Sequence, residues 1–407
     1  MRLTRRDWIA LTTLGGLTRA AASARAAQPD REQRILGVIR EYEKQGFHRT
    51  ATAVDNASGD WLFDEVKRAG LIPAREPFSI DRIDPIAATL TARGRRADGL
   101  PLFDAGFTGP NGVTGRLSAL EGDGDIGLVE AAPNTAGAGP LGDARRAPRF
   151  KAIVCVTRGG RPGLCPNNAD SFLKPFGPPV LQLSSEHGEW LRDLAAQSAE
   201  VHLVAHASRS KADAFNVTTR IAGTDGSLPP LVIMTPRSGW YWCASERGGG
   251  IACWLELMRT LSAPRPRRDV LFVASSGHEL GHLGINAYLD RRPGIVKNSA
   301  GWIHFGANIG AATDPRNTLQ ASDDALERVL SQAMRTTGLS VDVRVPRGTV
   351  PGGEAEVVHR GGGRYISAIG RSLLFHNPDD RGAEAVDCVK VALFADAFTT
   401  VARTLTE

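Results

Sequence analysis

The chain of 407 residues has few cysteines, and none of them has the spacing of a cysteine-based zinc site. It contains five cysteines and no Cys-x-x-Cys pair. The sequence therefore argues against a zinc ion held by cysteines. In an oxidising compartment Cys155 and Cys165, ten residues apart, are the candidate disulfide pair, and the odd number leaves at least one thiol free.

The chain also lacks a large net charge and a long apolar run. Residues 1–26 carry +4 of the formal net charge of +5, which leaves about +1 for the remainder. Nothing in this balance indicates a nucleic-acid partner or an anionic membrane surface. The apolar run from Trp8 to Leu17 is too short to be a stable membrane anchor.

The N-terminus contains the three parts of a targeting segment in their usual order. Thr4-Arg5-Arg6-Asp7-Trp8-Ile9 is a twin-arginine pattern, the apolar run follows, and Ala24-Arg25-Ala26 has the small residues of a cleavage site. The sequence predicts a signal peptide over residues 1–26. We expect export by the twin-arginine route, to the periplasm or out of the cell.

The pattern of apolar segments predicts an α/β fold. About 380 residues remain after the signal, enough for two lobes or for one domain with an insertion. Strands and helices alternate in the C-terminal half, which is typical of a mostly parallel sheet flanked by helices. The main predicted elements there are strands Val217–Ile221, Leu231–Met234, Val270–Ala274, Trp302–Ile309 and Ser372–Phe375, and helices Gly250–Leu261, Gly284–Leu289, Ala325–Thr337 and Ala383–Leu405.

Residues 101–215 differ in character, with more glycine and proline and with short β-like runs. The predicted strands are Gly112–Leu117, Ile126–Val129, Lys151–Val156, Val180–Leu183 and Glu200–His206. This stretch resembles a protease-associated domain, a β-rich module that shapes access to a cleft. The organisation we predict is an α/β domain over 27–100 and 216–407, interrupted by this insert.

The densest group of metal-capable side chains follows the strand at Val270–Ala274. His278-Glu279-Leu280-Gly281-His282 fits the His-Glu-x-x-His pattern of zinc proteases. That pattern needs both histidines on one helix, and Gly277, Gly281 and Gly284 disfavour a continuous helix there. The same residues also fit the Glu-Glu-x-Gly turn at a strand end in two-zinc exopeptidases, with one glutamate replaced by histidine.

Further blocks extend this second interpretation, so that nearly all of residues 30–407 resembles the family-28 metallopeptidases, the group of bacterial leucine aminopeptidase and glutamate carboxypeptidase II. The matching blocks are Thr235-Pro236-Arg237-Ser238, Cys243-Ala244-Ser245-Glu246-Arg247-Gly248-Gly249-Gly250, His278-Glu279-Leu280-Gly281, Ala307-Asn308-Ile309-Gly310 and Phe375-His376-Asn377-Pro378-Asp379. The resemblance implies two zinc ions sharing a bridging Asp and a water, with a Glu as base.

Several of the implied positions are changed. Glu279 and His376 match zinc ligands, Glu246 stands at the bridging position, and His278 stands at the base position. A His ligand is replaced by Thr235, and the Asp ligand of the block Ala307-Asn308-Ile309-Gly310 is lost. The resemblance thus implies a rearranged centre with one zinc or other divalent ion, whose candidate ligands are Glu279, His376, His282 and His304.

The remaining candidate site residues have catalytic or substrate-binding roles. Glu246 and His278 are candidates for acid–base work, and Arg237 and Arg247 for binding a carboxylate or an oxyanion. Candidate substrate contacts are Trp240, Tyr241 and His48. The leading hypothesis is an exported metallohydrolase of aminopeptidase type acting on a peptide or small amide. Two alternatives stay open: a metal-free His/Arg/Glu site for acid–base chemistry or an anion, and a non-catalytic relative that binds peptide.

Overall fold

The structure is a computed structural model that describes residues 30–147 and 149–407; the predicted signal peptide lies outside the described residues. The helices are α1 (30–43), α2 (Ala53–Arg68), α3 (Gly139–Arg146), α4 (Gly188–Ala196), α5 (Gly249–Leu261), α6 (Leu283–Asp290), α7 (Ile295–Asn298), α8 (Asp324–Thr337), α9 (Ala355–Arg360) and α10 (Cys388–Thr406). The strands are β1 (Ala74–Ala92), β2 (Arg95–Pro101), β3 (Val113–Ala119), β4 (Ile126–Ala131), β5 (Ala152–Thr157), β6 (Val180–Leu183), β7 (Glu200–Ile221), β8 (Leu231–Pro236), β9 (Val270–Ser275), β10 (Gly301–Phe305), β11 (Arg316–Ala321), β12 (Val343–Arg344) and β13 (Tyr365–Arg371). No helix in these two ranges is long and apolar enough to cross a membrane.

The α/β architecture is confirmed, and its centre is a group of parallel strands. The order across this part of the sheet is β7-β9-β8-β10-β13-β11-β12, and β9, β8, β10 and β13 run parallel to one another. Their carboxyl ends therefore share one edge, where ligands bind in sheets of this kind. The loops after β8, β9, β10 and β13 carry the sequence blocks from Thr235, His278, Ala307 and Phe375.

Helix α5 is buried on nearly every side because it lies inside the core. It packs between the sheet and α10, and its buried residues include Ile251, Trp254 and Met258. Its one buried charged residue, Glu256, is paired with Arg34 and Arg259. Its first residue, Gly249, comes so close to the chain that a Cβ there would lie 1.9 Å from the carbonyl oxygen of Ile309.

The insert has its own apolar core and is joined to the main sheet by two long strands. Strands β2, β6, β5, β4 and β3 lie side by side, with β3 to β6 parallel. β1 pairs with β7 from Ala74↔Thr218 to Thr91↔His202. The predicted strands Glu200–His206 and Val217–Ile221 are therefore parts of one strand. The polar residues between them have the sequence pattern of a loop. They are nevertheless extended, because they pair with β1.

Two other predictions were wrong. Ser372–Phe375 is a turn after β13, because the Ser372 hydroxyl accepts the backbone N–H of Leu374 and the Ser372 carbonyl accepts that of Phe375. All five cysteines are free thiols, so the expected Cys155–Cys165 disulfide is absent. Cys155 lies in the buried strand β5, whereas the sulfur of Cys165 is 3.6 Å from the side-chain amide nitrogen of Asn377.

The close approach at Gly249 gives a stability prediction. Gly249→Ala should lower the free energy of unfolding by about 1–3 kcal/mol, because a methyl group must displace packed backbone. Gly37→Ala is the matched control: this glycine is exposed in α1, and its Cβ would meet nothing within 4 Å. There the change should be neutral or stabilising by up to about 1 kcal/mol. Urea denaturation measures both, and equal effects would contradict the packing seen at α5.

Candidate active site

The turn after β9 positions His278 and His282 on separate elements. His278–Leu280 forms one 3₁₀ turn between Gly277 (φ 84°) and Gly281 (φ 78°), and His282 (φ 60°) precedes α6. Left-handed backbone at these residues breaks any continuous helix. The two imidazoles nevertheless lie close, with ring centroids 5.1 Å apart. The chain thus does not form the single helix of the His-Glu-x-x-His proteases.

A third residue, Glu354, completes a group of metal-capable side chains. Glu354 immediately precedes α9 and is fully buried. One ligand atom from each of His278, His282 and Glu354 lies within 4.8 Å of the others. Two histidines and a carboxylate are a ligand set that leaves a coordination position open in catalytic zinc sites. The sequence prediction of His278 and His282 near one another therefore fits the structure, and Glu354 is an addition to it.

Glu354 is held in place by two histidines from different strand ends. Its Oε1 is 2.9 Å from Nδ1 of His278, and its Oε2 is 3.2 Å from Nε2 of His304. A carboxylate only accepts, so both of these ring nitrogens carry protons. Nδ1 of His304, 2.9 Å from the Ser367 hydroxyl, then accepts a hydrogen bond. The arrangement leaves the lone pair on Nε2 of His278 free.

The charges of this group follow from burial and from its hydrogen bonds. Burial lowers the pKa of His278 to about 4, despite the neighbouring Glu354. Burial alone would raise the pKa of the Glu354 carboxyl, but His278 and His304 lower it well below its usual range. At neutral pH Glu354 is therefore a carboxylate and His278 a neutral imidazole. Neutral imidazole is the form that binds metals or accepts a proton.

His278 lies where two open cavities meet. One cavity of about 650 Å³ is lined by His278, His282 and Glu356, together with Asn168 and Asp170 from the insert. A second cavity of about 370 Å³ extends from His278 to Asn308 and Phe375. Both are lined by His278, Asn134, Gly352 and Gly353, so they form one cleft, which has His278 at its centre. Volumes of this size accommodate small-molecule or peptide ligands.

The Glu279 side chain does not line this cleft, and hydrogen-bond donors surround its carboxylate. Its Oε1 accepts bonds from the backbone nitrogen and the hydroxyl of Thr50 at 2.7 and 2.6 Å. Its Oε2 accepts a bond of 2.7 Å from the hydroxyl of Ser238. The side chain is fully buried. Three donors already occupy this carboxylate, which was predicted as a metal ligand.

Glu246 is paired with the neighbouring Arg247 instead of standing free. Its Oε1 is 2.8 Å from Nη2 of Arg247 and 3.5 Å from Nε2 of His376. Burial would raise the pKa of Glu246, but the Arg247 guanidinium, followed by His376, lowers it. Burial lowers the pKa of His376, whose Nδ1 is 2.6 Å from the carbonyl oxygen of Pro166. All three side chains are buried.

Arg237 is fully buried and bound to the protein itself. Its Nη1 donates to the carboxylate and to the backbone carbonyl of Asp55, both at 2.7 Å, and its Nη2 donates to the carbonyl of Phe215 at 2.6 Å. Neither Arg237 nor Arg247 lines the cleft. The structure thus places both guanidiniums, predicted to bind a substrate carboxylate or oxyanion, in internal ion pairs.

The three predicted substrate contacts also lie apart from His278. His48 is fully buried, its ring stacked on Tyr42 at 3.8 Å. Trp240 and Tyr241 line an apolar pocket of about 370 Å³ between the insert and the first helices, which we call the aromatic pocket. Trp240 touches the cleft indirectly, because its indole nitrogen donates to the Asn168 side chain at 3.1 Å.

Comparison with solved structures identifies the fold. A zinc aminopeptidase from Bacillus subtilis aligns over 91% of this chain and 94% of its own, with a TM-score of 0.74 and 18% identity. The chain has the zinc aminopeptidase fold. A peptidase M28 precursor from Shewanella amazonensis aligns over 94% and 96%, with a TM-score of 0.73 and 15% identity. An aminopeptidase from Aneurinibacillus aligns over 91% and 92%, with a TM-score of 0.68 and 15% identity. No family model and no curated protein sequence matches the chain.

The resemblance to family-28 metallopeptidases is confirmed for the fold, but the residues present do not fit a two-zinc centre at the usual positions of that family. Of the positions that match the family, Glu246 is paired with Arg247, Glu279 already accepts three hydrogen bonds from Thr50 and Ser238, and Ala307 stands at the position of an Asp. A guanidinium beside the bridging position disfavours a divalent cation there by charge repulsion. Any metal is better accommodated by His278, His282 and Glu354.

The balance of buried charge favours a cation near these residues. Glu246 and Asp55 are neutralised by buried guanidiniums, whereas Glu279 and Glu354 have no Arg or Lys partner among the described residues. A buried carboxylate without a cation is costly unless its hydrogen bonds compensate. The buried carboxylate of Glu354, beside His278 and His282, is the negative charge that a divalent metal would balance there.

Sequence reasoning missed Glu354, Thr50 and Ser238. Glu354 follows Pro351-Gly352-Gly353, with a helix of only one and a half turns after it, so no periodicity marks the segment. A signal did exist for Ser238, because it is the conserved serine of the family block from Thr235. Thr50 lies in a segment expected near the cleft, but only the fold shows that it faces Glu279.

Burial of His48 predicts a pH dependence of stability. Burial lowers the pKa of His48 to about 3 from the usual 6.5, so the unfolded chain binds this proton more readily. As pH falls from 6.5 towards 3, wild-type protein should lose up to about 1.4 kcal/mol per pH unit from this group. Above pH 6.5 the contribution is constant.

The comparison is His48→Gln, which should flatten this slope, since glutamine can still donate to the Tyr42 carbonyl. His202→Gln, near the surface of the insert, should keep it. Urea denaturation at a series of pH values measures both slopes. An unchanged slope in His48→Gln would show that His48 is not the neutral buried group described here.

Proposed function

We propose that this protein is an exported, metal-dependent hydrolase of peptide or amide bonds, with one metal held by His278, His282 and Glu354. The observation that carries the proposal is the convergence of these three side chains: His278 and His282 line an open cleft, and the fully buried carboxylate of Glu354 lies behind them. The fold supports the hydrolase class, because the neighbours it resembles are aminopeptidases. Their metal makes zinc the first candidate.

The proposal moves the metal away from the position that the sequence blocks imply. Glu279 and His376, predicted as ligands, become parts of the wall behind the site, together with Glu246. His304, also predicted as a ligand, orients Glu354 from the far side. Carboxylates that orient a ligand histidine, and groups behind them, typically tune metal affinity in this way.

Each residue around the cleft then has a defined role. A divalent metal there supplies Lewis-acid activation of water and of a substrate carbonyl. Without a metal, Oε1 of Glu354 accepts the proton on Nδ1 of His278, and a metal bound by both residues would take the place of this proton. The insert contributes Asn134, Asn168 and Asp170 to the walls, which supports a role in selecting and orienting substrate.

The first test is the metal content of the mature protein exported by its own signal. We expect about one zinc or other divalent ion per chain by elemental analysis, lost in Glu354→Gln and in His282→Gln. Glu356→Gln is the matched control, because Glu356 lines the same cleft but pairs with Arg360. It should keep the metal.

The variant Glu279→Gln distinguishes between the two candidate metal positions, the group of His278, His282 and Glu354 and the position that the sequence blocks imply. Retention of metal in Glu279→Gln with loss in Glu354→Gln supports the rearranged site. The reverse pattern would place the metal at the position usual for the family and overturn the rearrangement. Absence of metal from wild-type protein, even after zinc is added, would remove the metal-dependent reading altogether.

The second test is hydrolysis. Metal-loaded protein should release amines from a panel of aminoacyl p-nitroanilides and short peptides, with activity lost in Glu354→Gln and kept in Glu356→Gln. Activity that is equal in both variants would assign it to another site or a contaminant. If fully metal-loaded protein cleaves no member of the panel, the result supports the alternative function. In that case the protein binds a peptide or small anion in the cleft without cleaving it.

A further inference from the structure

The aromatic pocket lies outside the cleft and has the features of a binding site of its own. Its volume is about 370 Å³, and its walls come from both parts of the fold. Phe47, Trp240 and Tyr241 belong to the main domain, and Leu164 and Pro166 belong to the insert. Apolar walls with few polar groups are typical of small-molecule sites. None of its lining residues also lines the cleft around His278.

One cation, Arg49, lines this otherwise apolar pocket. The guanidinium stands 5.5 Å from the centre of the Phe103 ring. Its Nε is buried and has no hydrogen-bond partner among the described residues. Burial lowers the pKa of Arg49, which shows how poorly its surroundings solvate the charge. A desolvated guanidinium with a free donor favours a carboxylate, which it binds through charge-assisted hydrogen bonds.

The protein does not fully supply that carboxylate. The nearest one, Asp84, is 3.6 Å from Nη2 of Arg49. Asp84 is already bound by Arg82, with contacts of 2.9 and 3.0 Å, and by the hydroxyl of Ser210 at 2.8 Å. One carboxylate is thus shared by two guanidiniums. Glu279 also acts on the Arg49 charge but makes no ion pair with it among the described residues, so Arg49 keeps unfilled donors at the pocket wall.

We infer that the aromatic pocket binds a small apolar carboxylate, whose anionic end pairs with Arg49 and whose apolar part lies against Trp240 and Tyr241. The volume suits a molecule with one ring or a short branched chain. The inference does not depend on the hydrolase activity or on the metal.

The pocket walls also connect to the residues behind the candidate active site. Thr50, next to Arg49, donates two hydrogen bonds to Glu279. Pro166 lines the pocket, and its carbonyl accepts the bond from His376. Trp240 donates to Asn168, which lines the cleft. A ligand in the pocket therefore contacts groups that hold the site in place without entering the cleft.

The test uses 3-phenylpropionate and its neutral amide, 3-phenylpropionamide, titrated into the mature protein by calorimetry. The acid should bind saturably and at least about tenfold more tightly than the amide, because only the acid pairs with Arg49. Arg49→Gln should remove this preference. Arg209→Gln is the control, since Arg209 also stands over aromatic rings but does not line the pocket.

Two further variants locate the bound acid. Glu354→Gln should bind the acid as wild type does, which separates this pocket from a carboxylate bound to a metal in the cleft. Leu164→Trp fills the pocket yet keeps the backbone carbonyl that accepts the Tyr241 hydroxyl, and it should abolish binding. No saturable binding to wild type, equal affinity for acid and amide, or unchanged binding in Leu164→Trp would each overturn the inference.

Discussion

The arrangement of the candidate site depends on the burial of one carboxylate, that of Glu354, between two imidazoles. Because the carboxylate has no water to solvate it, the hydrogen bonds from His278 and His304 must be kept. These bonds fix the tautomer of His278 and the direction of its free lone pair. They also join the turn after β9, strand β10 and the start of α9. One electrostatic requirement thus sets both the chemistry and the local geometry.

The neighbouring buried carboxylates, Glu246 and Glu279, have protein side chains as partners within a fold that resembles the zinc aminopeptidases. Where family-28 metallopeptidases balance acidic ligands with two metals, this chain uses the guanidinium of Arg247 beside Glu246 and hydroxyl groups around Glu279. These groups satisfy the two carboxylates within the protein. The open nitrogen atom, Nε2 of His278, belongs to a residue that lines the cleft.

The parts of the fold that the sequence predicts are those with local signals. The apolar runs at Leu231–Met234 and Val270–Ala274 and the helix at Gly250–Leu261 agree closely with β8, β9 and α5. The grouping of His278 and His282 followed from their spacing after a strand. The partners Asp55 for Arg237 and Glu354 for His278 lie 182 and 76 residues away, and only the fold brings them together. The continuous strand β7 likewise depends on pairing with β1.

The paired strands β1 and β7 determine how substrate can enter. They form a two-stranded ribbon that carries the insert, and the insert supplies one wall of the cleft. Because its two strands are paired along their backbones, this ribbon restricts the movement of the insert relative to the main sheet more than two loops would. The register shifts between Pro85 and Ala87, and such an irregularity bends and locally weakens a ribbon. Bending of the ribbon at this bulge is therefore the movement that would change the width of the cleft, although the bulge lies far from His278 in the sequence.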